Sequence, residues 1–123
     1  MSMTVHIAMK GITDFEILLE ALREMGIKAQ ATKTVSPRQG HQILAFADIR
    51  GRRVGFAKDN TGEIALVGDS DWQVTRDQQL RQKIRQYYSL AAVKRKINQM
   101  HYSVAEVENL EDGSIRLVAR QWR

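Results

Sequence analysis

The chain has 123 residues, 43% of them hydrophobic, and its 19 lysines and arginines against 14 aspartates and glutamates leave a net charge of +5. That length fits a single domain, here residues 1–123, with enough apolar content for a core without staples. Zero cysteines exclude disulfides, thiolate nucleophiles and cysteine-ligated metal centres, and no apolar run approaches the roughly 20 residues of a membrane-spanning helix.

The expectation is therefore a protein with no membrane partner, in a reducing interior such as the cytoplasm. The opening stretch from Thr4 alternates like a strand over residues 4–9 and lacks a signal peptide's basic start. Thr13 then reads as an N-cap with Glu16 completing a capping box and Ile12 and Ile17 as a hydrophobic staple. Phe15, Leu18, Leu19, Leu22 and Met25 recur at helical spacing, and Gly26 stops the helix.

Residues 27–32 resume as an extended run, and Pro37, the one proline, marks a loop. Three short extended runs follow at residues 43–49, 53–58 and 63–67, separated by Arg50-Gly51 and by a turn from Asp59 to Gly62. They read as an antiparallel meander. Thr75 with Gln78 repeats the capping-box spacing and predicts the start of a second helix. Leu80, Ile84, Tyr87, Tyr88 and Ala91 form its first apolar stripe. Leu90, Val93, Ile97 and Met100 lie offset around the axis, so the helix bends or changes its packing partner near Leu90. The chain closes with two extended runs around Asp112-Gly113, a hairpin signal because a type I′ turn needs positive φ at both central residues. The fold class read from this order, β-α-β-β-β-β-α-β-β, is α+β: a largely antiparallel sheet with two helices, most economically on one face.

The second helix is the first candidate site. Arg76, Arg81, Lys83, Arg85, Lys94, Arg95 and Lys96 stand there against Asp77 alone. Cations for phosphates beside Tyr87 and Tyr88 for bases suit a nucleic acid, most plausibly RNA or a single strand. A solvated helix face with its tyrosines packed on the sheet explains the same pattern. Arg50, Arg52 and Arg53 at a strand end suit a phosphate or carboxylate, and equally suit edge gatekeeping. The acidic cluster of Asp59, Asn60, Asp69 and Asp71 lacks the spacing of a calcium loop. His6, His41 and His101 have no metal-ligand repeat, and no serine has a nucleophile context. Catalytic residues, metal ligands and cofactors are accordingly expected to be none. The terminal Arg120, Trp122 and Arg123 remain as partner contacts, with Trp122 sharing a strand face with Val118.

Several short motifs carry a family resemblance. They are Asp112 to Leu117 with Trp122, Tyr102-Ser103-Val104 with Glu106, Gln86-Tyr87-Tyr88, Asp71-Trp72, and Leu22 with Met25-Gly26-Ile27. In these the chain resembles the uncharacterised cyanobacterial and plastid-encoded proteins known as hypothetical chloroplast reading frame thirty-five. The resemblance implies a small protein of a bacterial cytoplasm or plastid stroma and carries over no catalytic residue. The reading is a non-catalytic interaction module or accessory subunit of a larger assembly. Its binding candidates are Arg81, Arg85, Lys94, Arg95, Lys96, Arg120, Trp122 and Arg123. The alternative is a nucleic-acid binder using the basic helix. A protein partner is expected, and a homo-oligomer stays open.

Overall fold

A computed structural model describes residues 3–35, 42–100 and 102–121. The strands are β1 (Thr4–Ala8), β2 (Ala29–Val35), β3 (Gln42–Ile49), β4 (Arg52–Lys58), β5 (Ile64–Asp69), β6 (Tyr102–Asn109) and β7 (Ile115–Gln121). The helices are α1 (Phe15–Glu24), α2 (Gln73–Arg76) and α3 (Gln78–Gln99). Five strands form one antiparallel sheet in the order β1-β5-β4-β3-β2, and β6 and β7 form a separate hairpin. The α+β class and the order of elements hold, with α2 as an addition. The Pro37 loop lies outside the described residues.

One face of the sheet supplies Ala45, Ala47, Ile49, Val54, Phe56, Ile64 and Leu66 to the main core. Leu18, Ala21 and Leu22 of α1 and Leu80, Ile84 and Tyr88 of α3 close over them, so both longer helices share that face. Each large side chain fully buried there contributes about 1.5–3 kcal/mol of transfer free energy. On the opposite face Ile43, Ala57 and Val67 form a smaller cluster, with Phe46 packed against it.

The stop of α1 follows the sequence reading. Gly26 has φ +77°, its N–H donates to the Arg23 carbonyl and the Ile27 N–H donates to the Leu22 carbonyl, a Schellman closure. The start differs by one residue. Asp14, not Thr13, caps the helix, its Oδ1 accepting the Ile17 N–H at 3.2 Å. A carboxylate is favoured at a helix N-terminus by the backbone dipole, and the Thr13 N–H is directed instead to the Tyr88 hydroxyl.

The second cap also moves. Thr75 lies inside α2, fully buried, and Asp77 interrupts the helical run with ψ 99° before capping α3 through the Leu80 N–H. Beyond Asp77 the helix is uninterrupted for 22 residues. Its first stripe enters the core, with Tyr88 more buried than Tyr87. Its second stripe changes partner, and Leu90 and Val93 face Ile115 and Leu117 of the hairpin.

The type I′ geometry expected at Asp112-Gly113 occurs at Arg50-Gly51. Arg50 (φ 52°) and Gly51 (φ 77°) are both left-handed between the paired residues Ile49 and Arg52. At the terminal hairpin only Gly113 has positive φ. There the Gly113 N–H reaches the Leu110 carbonyl and Asp112 accepts from the Ser114 N–H and hydroxyl, a longer loop whose chemistry is an Asx turn. Gly51→Ala is expected to cost about 1 kcal/mol, because a Cβ disfavours left-handed backbone. The shift of the urea unfolding midpoint measures it.

Candidate functional site

The basic helix is less free than its sequence suggests. Arg81 Nη1 donates to the Thr75 carbonyl at 2.8 Å, tying α3 back to α2. Arg95 Nε meets Glu20 Oε2 of α1 at 2.9 Å. Lys94 is half-buried beside Glu20 and Glu24. Arg85 and Lys96 are exposed. Arg120 is exposed near the end of β7, and Trp122 and Arg123 lie outside the described residues. The α3 candidates are thus divided, with Arg81, Lys94 and Arg95 at contacts between helices and Arg85 and Lys96 in solvent.

The other candidates separate as follows. Asp59 Oδ1 accepts from the Thr61 N–H, the Thr61 hydroxyl and the Glu63 N–H, and Asp69 accepts from the Asp71 N–H. Both carboxylates shape their own turns. Among the described residues no group of three or more histidines and carboxylates has metal-site geometry. His6 is half-buried on β1 opposite Val67, and His41 and His101 lie outside the described residues.

Two surfaces stand out. The first is the groove between α3 and the terminal hairpin, a cavity of about 310 Å³ lined by Leu90, Val93, Ile115 and Leu117 with Gln86 and Ser114. The Gln86 side-chain amide donates to the Gly113 carbonyl and pins the hairpin tip to the helix. Val93 in the groove is 45% exposed, and Val107, the register partner of Leu117, is 42% exposed. These are large apolar side chains left in water. Glu106, Glu108, Glu111 and Asp112 are exposed along the hairpin. Only Glu108 among them meets a cation in the described residues, Arg116 across the strands at 3.8 Å, a pair too exposed to matter much. Hydrogen bonds from the Ser114 hydroxyl and N–H lower the Asp112 pKa, so the hairpin tip stays anionic.

The second surface is the corner around the β3–β4 turn. Arg50 Nη1 meets Asp77 Oδ2 at 2.6 Å, and that bond, followed by the Leu80 N–H, lowers the Asp77 pKa. Arg52 lies over the Trp72 ring at 5.3 Å and Arg53 over the Phe46 ring at 4.7 Å. Beside the second stack is a shallow cavity of about 220 Å³ lined by Lys28, Gln30, Phe46, Ala47, Asp48 and Arg53. The sequence marks the arginines as candidates. It holds no local signal for the two aromatic stacks, which sheet pairing and the docking of α2 create.

The fold and these surfaces define a small α+β protein, a five-stranded antiparallel sheet under two helices with an appended hairpin. No helix among the described residues is long and apolar enough to cross a membrane. Residues 21–118 match the family described as "Protein of unknown function (DUF1257)", and the chain belongs to that family. The match runs from α1 into β7 and so includes both surfaces. It agrees with the expected membership of an uncharacterised family. No curated protein and no solved structure matches the chain.

Proposed function

We propose that the chain works as a single-domain, non-catalytic interaction module, an accessory subunit that docks a segment of another protein in the α3–hairpin groove. The observation that carries the reading is the apolar lining of that cavity by Leu90, Val93, Ile115 and Leu117, with Val93 and Val107, the register partner of Leu117, left exposed. A two-stranded hairpin alone is marginal in water, and a partner laid across the groove would bury these side chains. The acidic hairpin sets the partner's chemistry: an amphipathic segment with an apolar face and a lysine- or arginine-rich flank. Arg120, Trp122 and Arg123 stay candidates for a further partner contact, the last two outside the described residues. Kinship with the cyanobacterial and plastid proteins named above, and residence in a cytoplasm or stroma, belong to this reading.

A photoreactive amino acid placed at Val93 tests it. Irradiation in cells, followed by mass spectrometry of the linked peptide, should identify a basic-flanked amphipathic segment of another protein. A link to a second copy of this chain would assign the groove to self-association, and an acidic or wholly polar segment would remove the argument from the hairpin's charge.

A further inference from the structure

The corner around the β3–β4 turn carries a chemistry separate from the groove and independent of the docking reading. Asp48 and Arg53 are register partners on β3 and β4, the arrangement in which a cross-strand ion pair would form. Arg53 instead lies on the Phe46 ring. Phe46 in turn is propped on the backbone of β4, since a Cβ built on Gly55 would stand 3.5 Å from its Cε1. Among the described residues neither the Arg52 nor the Arg53 side chain has an ion pair or hydrogen bond besides its aromatic stack. Two guanidinium planes are therefore held against aromatic rings with their N–H edges unused.

We infer that this corner, formed by Lys28, Gln30, Phe46, Asp48 and Arg53, binds single-stranded nucleic acid by stacking one base at Phe46–Arg53. Aromatic rings and arginine planes are the surfaces on which unpaired bases stack. The cavity, about 220 Å³, is smaller than the roughly 300–1,000 Å³ of pockets that enclose whole ligands, and it suits one base of a strand. Gln30 and the Asp48 carboxylate offer hydrogen-bond partners to the base edge, with Asp48 accepting from a ring or amino N–H. Lys28 and the N–H edges of Arg53 face phosphate. Arg85 and Lys96 of α3 take no part.

Fluorescence anisotropy of the purified full chain with a labelled 15-nucleotide oligouridylate, over a salt series, tests the assignment. Affinity should fall steeply with salt, and Arg53→Gln and Phe46→Leu should each weaken binding on the order of tenfold. Phe46→Leu keeps an apolar cover over Gly55 while removing the stacking surface, and unchanged melting curves for both variants separate binding from folding. Arg85→Gln with Lys96→Gln should leave the affinity within about twofold. Undetectable oligonucleotide binding by the wild type, or variants at Phe46 and Arg53 that bind as tightly as it does, would overturn the inference. Loss on changing Arg85 and Lys96 would overturn it in favour of the α3 surface. Uridine monophosphate competing as well as the oligomer would overturn the strand and leave a free nucleotide.

Discussion

Gly68→Ala should destabilise the protein by roughly 1–3 kcal/mol, the range for a methyl forced into a filled core, and lower its melting temperature by several degrees. Gly68 sits on β5 where α2 docks. A Cβ there would lie 3.3 Å from Thr75 Cγ2 and 3.4 Å from Thr75 Cβ, with Thr75 Oγ1 closer still. Thr75 is fully buried and cannot swing away into solvent. Its Oγ1 has no hydrogen-bond partner among the described residues, so burying the hydroxyl costs stability rather than adding to it. Adding Thr75→Ala to Gly68→Ala should therefore recover most of the lost stability, because the new methyl occupies the volume vacated. Thermal melts of the two single variants and the double variant complete the cycle. Additive losses would show that β5 and α2 do not meet as closely as described.

Tyr88→Phe should cost about 1 kcal/mol, the net worth of an intramolecular hydrogen bond, because the N–H groups it releases stand on exposed residues that water can reach. The Tyr88 side chain crosses from α3 to the start of α1. Its hydroxyl accepts the Asp14 N–H at 3.0 Å and the Thr13 N–H at 3.4 Å, while the residue is only 9% exposed. Phenylalanine preserves the ring and its packing, so the loss isolates the hydroxyl. Amide hydrogen exchange gives a second readout. The amides of Thr13 and Asp14 should exchange faster, whereas those in the middle of α3 should change only as far as global stability changes. Wild-type exchange at both positions would mean that the entry to α1 is held by Asp14 alone.

Patterns contained within a few residues were legible in the sequence. The Met25-Gly26 stop, the meander and the α3 stripes depend on local spacing, and each falls where spacing put it. Errors arose where a local motif had a tertiary competitor. Thr13 has capping chemistry, but the Asp14 carboxylate takes the cap, and the Tyr88 hydroxyl from α3 meets the N–H of both residues. Thr75 and Gln78 imitate a capping box, yet Asp77 is the residue with both a helix start to cap and Arg50 to pair with. Asp-Gly at the terminal hairpin outscored Arg50-Gly51 as a turn signal because aspartate tolerates left-handed backbone better than arginine. Arg50 adopts it nonetheless, where its side chain can reach Asp77.

The candidate sites were legible only in part, for the same reason. Charge along α3 is visible in one dimension, but which cations face carboxylates depends on α1, whose Glu20 meets Arg95 across 75 residues. Exposed arginines near residue 50 were visible too. Their seating on Phe46 and Trp72 depends on strand register and on where α2 docks.

The separation of β6 and β7 from the five-stranded sheet has a consequence for how such a protein changes over generations. The hairpin joins the body through α3, by the Gln86–Gly113 bond and the contacts along the groove, and among the described residues shares no backbone ladder with the core strands. A substitution at its exposed positions leaves the ladder and the main apolar cluster untouched. Selection can therefore retune the hairpin's shape and charge almost independently of the requirement to fold. A lineage can exchange one binding specificity for another there while inheriting the same scaffold.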